Sequence, residues 1–313
     1  MTHKQQIVVD WGSSNFRAYR FAADGSVAEQ HQAAAGILSV TDNAFEVVLE
    51  REIGHWIDRD CDVFLSGMIT SRNGWLETPY VETPADLAGL AANAREATSV
   101  RGARLRFLPG VAVREPSPDV MRGEEIQVFG SVAPDETATI ILPGTHSKWV
   151  RVERGRIVAF RTFLSGEIFA LLKAHSIVGR LIPAVAQPFD ESAFVDGVRQ
   201  ALGDATVGLL NDVFTVRSGA LLGQFPVDHI ADRLSGIVIG HELRSGLALG
   251  WTTGAFRLVG DRALCERYLV GLRAAGAAGE IGPDHAAVAG FRRLASLEGR
   301  AASFDAASTP QGA

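Results

Sequence analysis

Three short stretches of this chain combine glycine, hydroxyls and charge as phosphate chemistry requires. Asp10 closes the apolar run Ile7-Val8-Val9 and is followed by Gly12-Ser13-Ser14 and then Arg17; Gly144-Thr145-His146-Ser147-Lys148 follows Ile140-Ile141-Leu142-Pro143. A glycine turn after a strand exposes backbone N–H groups where no side chain blocks approach, and such a nest attracts a phosphate oxygen. Two nests could hold a triphosphate, with Ser13, Ser14, Thr145 and Ser147 as neutral donors and Arg17 and Lys148 as charge. Asp10 sits where an unpaired carboxylate is costly. It either caps its own turn through the backbone at Gly12 or Ser13 or is satisfied by Mg²⁺, directly or through water. The third stretch, Gly123-Glu124-Glu125, opens a predicted helix within 121–130. Acids in a first helical turn complement the dipole. Alternatively one of them is a general base drawing a proton from an attacking hydroxyl, while the other, or Gln127, touches metal or water. Phosphoryl transfer asks little more of a protein than positioning, charge neutralisation and such a base.

A fourth stretch, Ser66 to Tyr80, is dense in polar and aromatic residues at a predicted strand end, where open α/β sheets place ligands. Ser66, Gly67 and Met68 border that end. Arg72 could fork onto a carboxylate, Asn73 could read hydroxyls, and Trp75 and Tyr80 could wall a sugar-sized pocket. The alternative is a surface loop with Trp75 turned inward. His241-Glu242 lacks the spacing of a metal site and reads as structural, whereas His146 sits in the proposed nest.

The elements that must position these residues follow an α/β pattern. Residues 7–10 and 16–21 read as two strands around a polar turn, Asp24-Gly25 turns into a third, and apolar residues recur at helical spacing over 43–57 before a buried strand at 61–65. The same order recurs later: strand 140–143, glycine turn, strand 149–152, the turn Arg154-Gly155 and strand 157–160. A shift of 132 places Gly12 on Gly144 and Ser13 on Thr145, which points to internal duplication. Two further strand-to-glycine junctions are expected, Gly236 to Gly240 and Phe256 to Gly260, the second feeding a helix from Asp261.

Length and charge bound the rest. At ~100–200 residues per domain, 313 residues suggest two domains. A net charge of −6 disfavours nucleic-acid binding, and two distant cysteines imply neither a disulfide framework nor a zinc site. No signal peptide and no run of ~18 apolar residues is apparent, so a cytoplasmic protein without a membrane span is expected.

The run Ile7 to Arg17, the GTHSK loop and Leu258-Val259-Gly260 resemble the first phosphate, second phosphate and adenosine motifs of the sugar kinase, Hsp70 and actin superfamily. More narrowly, SGMITSRNGWLETPY (66–80), MRGEEIQVFG (121–130), ILPGTHSKWV (141–150) and FLSGEIFALL (163–172) resemble the 2-dehydro-3-deoxygalactonokinase family, with similarity over about 7–298. The resemblance implies two ribonuclease-H-like (actin-like ATPase) α/β domains with an interdomain cleft: residues 1–130 with the first phosphate loop and the sugar-acid site, and 131–302 with the second phosphate loop and the adenosine site; the small, polar end of the chain reads as a flexible tail at 303–313. It implies ATP-dependent phosphorylation of 2-dehydro-3-deoxy-D-galactonate on its 6-hydroxyl, in galactonate or galactose catabolism, by a monomer or homodimer using ATP and Mg²⁺. By motif, Asp10, Gly12, Ser13, Ser14, Gly144, Thr145 and Lys148 would face the Mg²⁺-bound phosphates, and Gly240 and Gly260, with Asp261 beside it, would approach adenosine. The choice of base between Glu125 and Glu124 stays open. One departure is that Leu142-Pro143 stands where the superfamily usually carries an acid before the second glycine, leaving the metal to Asp10 and one of the glutamates.

Competing expectations are a phosphohydrolase or polyphosphatase, another carbohydrate kinase on the same scaffold, or a non-enzymatic ATP-responsive regulator. A polyphosphate channel wants a basic lining, which the acidic balance opposes. A regulator wants a DNA-binding segment ahead of Ile7, where six residues stand.

Overall fold

The structure, a computed structural model, describes residues 4–307 except 186, 204–205 and 252–253, with backbone alone over 298–307. The chain divides into two compact units: Met1–Pro134 with Gly155–Val158 and His285–Ala313, and Asp135–Arg154 with Ala159–Asp284.

The first unit begins with β1 (Gln5–Trp11), β2 (Phe16–Phe21) and β3 (Val27–Ala33), then α1 (Phe45–Ile53) and β4 (Cys61–Ser66). It continues through β5 (Val81–Glu82), α2 (Leu87–Ala92), β6 (Arg95–Thr98), β7 (Arg104–Phe107), β8 (Val111–Val113), β9 (Asp119–Met121) and α3 (Glu124–Ser131). Its main sheet has the order β3-β2-β1-β4-β7-β6, with β5-β8-β9 as a separate small sheet. The three-stranded meander is antiparallel, whereas β4 runs parallel to both β1 and β7. Alternation in β1 and β4 sends Ile7, Val9, Trp11, Val63 and Leu65 into a core closed by Phe45, Leu49 and Ile53 of α1.

The second unit repeats that order. Its strands β10 (Ala138–Leu142), β11 (Ser147–Glu153), β12 (Arg156–Phe163, whose first three residues group with the first unit), β13 (Phe256–Leu258) and β14 (Gly279–Ile281) form a sheet ordered β12-β11-β10-β13-β14. Again the first hairpin is antiparallel and the crossover strand parallel. The helices are α4 (Ser165–His175), α5 (Glu191–Gly203), α6 (Leu209–Leu221), α7 (Ile230–Leu247) and α8 (Arg262–Ala274). The predicted duplication is therefore present in the strand order.

Three expectations need correction. The segment Gly236 to Gly240 is the middle of α7, not a strand. It is apolar all round because it is buried all round, and periodicity cannot separate such a helix from a buried strand. The boundary falls at 134/135 instead of 130/131, and α9 (Ala286–Ala307) groups with the first unit, not the second. A Cβ on Gly130 would lie 1.8 Å from Ala286 O and one on Gly290 2.0 Å from Ile126 O, so paired glycines hold α3 and α9 in close contact. Of the expected tail, 303–307 continues α9, and 308–313 lies outside the described residues.

Candidate active site

In the first unit, two parallel strand ends and two glycines assemble an acidic centre. Asp10 pairs in register with Ser66 at the end of β4, and on its other side with Arg17 of β2. The Arg17 guanidinium lies 3.4 Å from its carboxylate, which keeps 23% of its surface. Burial raises the proton affinity of Asp10; Arg17 opposes this, and the charge of Glu124 adds to it. Gly67 has φ +92°, and a Cβ there would lie 2.9 Å from Trp11 O and 3.3 Å from Asp10 Oδ1. Gly123 has φ +106°, and its Cβ would meet Gly67 Cα at 3.2 Å. Both positions need glycine, for backbone sign and for space. Together they bring the start of α3 against the end of β4, with Asp10 beside Gly67.

The paired acids differ in setting. Glu125 is fully buried. Both of its carboxylate oxygens accept the Gly123 N–H, at 2.8 and 2.9 Å. Burial first, and the charge of Glu124 second, push it up to about 8. Glu124 is half-buried and accepts the Arg122 N–H at 3.0 Å. Both acids thus fold back on the turn before α3.

Arg122 is the residue the sequence reading passed over. Its guanidinium donates to Thr70 O (2.7 Å), Thr70 Oγ1 (2.6 Å), Thr78 Oγ1 (2.6 Å) and Thr78 O (3.0 Å). It also stacks 4.4 Å from the centre of the Tyr80 ring. One side chain therefore ties the 66–80 segment to the turn that carries Glu124. Arg122 stood in the quoted block, but an arginine among loop residues gives no sign of a partner some 50 positions away.

The rest of that segment divides. Ser66 is buried, with a hydroxyl that has no partner among the described residues. Met68 is half-buried and packs on the core. Trp75 is half-buried and turned inward: it meets Phe107 edge to face at 5.4 Å and packs on the same core, because a ring that size next to a strand end finds more apolar area inward. Arg72 and Asn73 are exposed, and Arg72 joins no ion pair among the described residues. In the first glycine turn, Gly12 N–H donates to Asn15 O at 2.9 Å, while the carbonyls of Gly12, Ser13 and Ser14 accept from Ile37, Leu38 and Gly36. Ser13 is half-buried and Ser14 exposed.

The second unit holds the other loop. Gly144 has open space where a Cβ would stand. Thr145 and His146 are exposed, and His146 pairs with Glu167 at 2.6 Å, a contact that accounts for it without phosphate. The start of α4 closes on this loop: a Cβ on Gly166 would lie 2.3 Å from Gly144 O, and Glu167 N–H donates to Thr145 O at 3.0 Å. Lys148 is buried on β11, directly across from Leu142 as Arg17 is across from Asp10. Ser147 is not a nest donor, because its hydroxyl is fully buried and given to Glu242 at 2.6 Å.

Gly240 does not approach a ligand. Its Cβ would fall 2.7 Å from Ala201 Cβ and 3.0 Å from Val198 O, so it serves the close crossing of α5 and α7. Gly260 does follow a strand, with φ +144° and its Cβ position 3.5 Å from Pro143 O. Asp261 beside it caps α8 by accepting the Leu264 N–H at 3.0 Å. A cavity of about 420 Å³ opens beside these elements, lined by Gly144, Ser165, Phe169, Ser235, Arg267 and Tyr268 among others. His241 is structural, buried against Asp212 at 2.7 Å. Among the described residues no cluster of three or more His, Cys, Asp or Glu could hold a metal alone, and no helix is long and apolar enough to cross a membrane.

A family model described as 2-keto-3-deoxy-galactonokinase matches residues 10–294. The 2-dehydro-3-deoxygalactonokinase of Escherichia coli (strain K12) is 33% identical over 291 residues, spanning 92% of this chain and 97% of that protein. The crystal structure of a Sinorhizobium meliloti protein assigned as a 2-dehydro-3-deoxygalactonokinase superposes with a TM-score of 0.85 at 33% identity, covering 95% of this chain and 98% of that one. Component A of the Acidaminococcus fermentans (R)-2-hydroxyglutaryl-CoA dehydratase, 13% identical with a TM-score of 0.50 over 95% and 99% of the two chains, shares the fold alone. The repeated strand order is that of the actin-like ATPase and sugar-kinase fold. The chain belongs to the 2-keto-3-deoxy-galactonokinase family.

Proposed function

We propose that this protein transfers the terminal phosphoryl group of ATP to the 6-hydroxyl of 2-dehydro-3-deoxy-D-galactonate, in the breakdown of galactonate. The observation that carries the reading is the meeting of Asp10, Gly67 and the Gly123-Glu124 turn beside a polar loop pinned by Arg122. A half-buried acidic pair next to a hydroxyl-reading loop suits a reaction that neutralises phosphate charge and removes one proton.

Glu124 is the base in this account. A base must be ionised at its working pH, and Glu125, pushed up to about 8 and closed off from solvent, holds its proton at neutral pH. Glu124 keeps exposed surface and stands near Asp10. The acceptor hydroxyl gives its proton to the Glu124 carboxylate as its oxygen bonds to the γ-phosphorus, and the bond to the β-bridging oxygen breaks to release ADP. Asp10, desolvated and with Arg17 as its countercharge, fits a Mg²⁺ that a protein holds through one or two carboxylates plus phosphate oxygens. Bound there, the ion would neutralise the transferred group. Arg72 takes the substrate carboxylate, Asn73 reads a hydroxyl, and Arg122 fixes the loop that presents them. In the second unit the glycine turn at Gly144 and Thr145, with Lys148, takes phosphate, and the cavity beside Gly144 takes the nucleoside.

The test is ADP release from purified protein with MgATP and a panel of acceptors: 2-keto-3-deoxygalactonate, 2-keto-3-deoxygluconate, galactonate, hexoses, glycerol and none. Turnover confined to the 2-keto-3-deoxy acids, with the galacto epimer preferred, is the expected result. ADP release that does not depend on an acceptor contradicts the proposal.

A further inference from the structure

A buried carboxylate in the second unit is used by no step above. Glu242 stands in the middle of α7 and is 3% exposed. Its Oε1 accepts Ser147 Oγ at 2.6 Å and Trp149 Nε1 at 2.8 Å, and its Oε2 accepts Tyr268 Oη at 2.7 Å. The Ser165 hydroxyl is a fourth donor. A carboxylate offers about four acceptor positions, so the four donors fill this one, and burial raises its proton affinity while they oppose that.

The four donors belong to the parts that border the proposed nucleotide site. Ser147 and Trp149 begin β11, immediately after the turn at Gly144 and Thr145. Ser165 opens α4, whose next two residues rest on that same turn. Tyr268 lies on α8, which starts from Gly260 and Asp261. Ser165 and Tyr268 both line the cavity of about 420 Å³. A buried charge is a poor source of stability, since apolar residues of similar volume do as well or better. What it supplies is direction: each donor is aimed at one point, and the three elements keep fixed spacing around it.

We infer that Glu242 is a positioning residue for nucleotide binding, holding the second phosphate turn, the start of α4 and the α8 wall of the cavity in register through Ser147, Ser165 and Tyr268. This rests on the reading of that cavity and turn as the nucleotide site.

Glu242→Gln keeps an oxygen for Ser147 and Trp149 but places an amide that cannot accept where Tyr268 donates. ADP affinity by calorimetry and steady-state constants for both substrates, with melting temperature as a control, separate the outcomes. The expected result is a roughly tenfold weaker ADP Kd and a similar rise in KM for ATP, with KM for the sugar acid within about twofold of wild type. Ser165→Ala and Tyr268→Phe, each removing one donor and no charge, should shift ADP affinity the same way by about threefold and serve if Glu242→Gln does not fold. A folded Glu242→Gln with wild-type ADP affinity, or with both KM values raised alike, overturns the inference while leaving the kinase reading intact. Wild-type protein that binds no ADP overturns the kinase reading, and the inference with it.

Discussion

Replacing Arg122 by Met removes the clamp on the 66–80 segment while nearly keeping its volume. The native guanidinium reaches four oxygens of Thr70 and Thr78 at 2.6–3.0 Å, three of them sharing the two Nη1 hydrogens, and makes one stacking contact with Tyr80. Bonds from a charged donor are each worth ~1.5–3 kcal/mol on deletion, and exposed cation–π stacking adds ~0.5–1. These do not add fully, because the threonines keep other partners: Thr78 Oγ1 still reaches Leu108 O at 3.2 Å and Thr70 Oγ1 still reaches Gly67 O at 3.1 Å. The expected loss is about 3 kcal/mol in urea unfolding. Arg122→Lys, a point charge that cannot span both threonines, should recover less than half of it. Because the clamp also joins the substrate loop to the turn bearing Glu124, KM for the sugar acid should rise at least tenfold, with KM for ATP little changed. A loss below ~1 kcal/mol with an unchanged sugar-acid KM refutes the clamp.

Other perturbations follow from single contacts. Glu125 is held above its unfolded value of 4.5, up to about 8, so the unfolded chain gives up its proton first and stability falls as pH rises through that window. Glu125→Gln should flatten the stability slope between about pH 4.5 and 8 and be the more stable protein at pH 8 by a few kcal/mol; parallel slopes for the two proteins would contradict this. Gly240→Ala forces a methyl to within 2.7 Å of Ala201 Cβ. It should cost ~1–3 kcal/mol of stability without changing KM for ATP, and a specific loss of ATP affinity would return Gly240 to the nucleotide site. Arg72→Ala should raise KM for the sugar acid about tenfold and leave KM for ATP unchanged, whereas an equal effect on both would make Arg72 structural.

Much of the scaffold was legible because its strands carry their signals locally. The apolar runs at 7–9 and 140–142, each closed by a glycine turn, gave both hairpins and their repeat. The acids at 124 and 125 announced a helix start by position. What escaped depends on partners far along the chain. Gly236 and Gly240 look like strand ends until α5 is seen pressed against them. Ser147 looks like a phosphate donor until Glu242, 95 residues away, accepts its hydrogen bond. For Trp75 the sequence left two alternatives, pocket wall or inward packing, and the contact with Phe107 favours the second. The return of α9 to the first unit rests on Gly130 and Gly290, whose meaning appears only when the two helices touch.

The most direct test of the account is kcat for Glu124→Gln beside Glu125→Gln, both shown folded by circular dichroism and both measured at saturating ATP and sugar acid. General-base catalysis is worth ~10²–10⁴ in rate, so Glu124→Gln should lose at least a hundredfold in kcat with both KM values near wild type, and Glu125→Gln should lose less than tenfold. A folded Glu124→Gln enzyme that turns over at the wild-type rate, or a Glu125→Gln enzyme that is the inactive one, would contradict the assignment of the base.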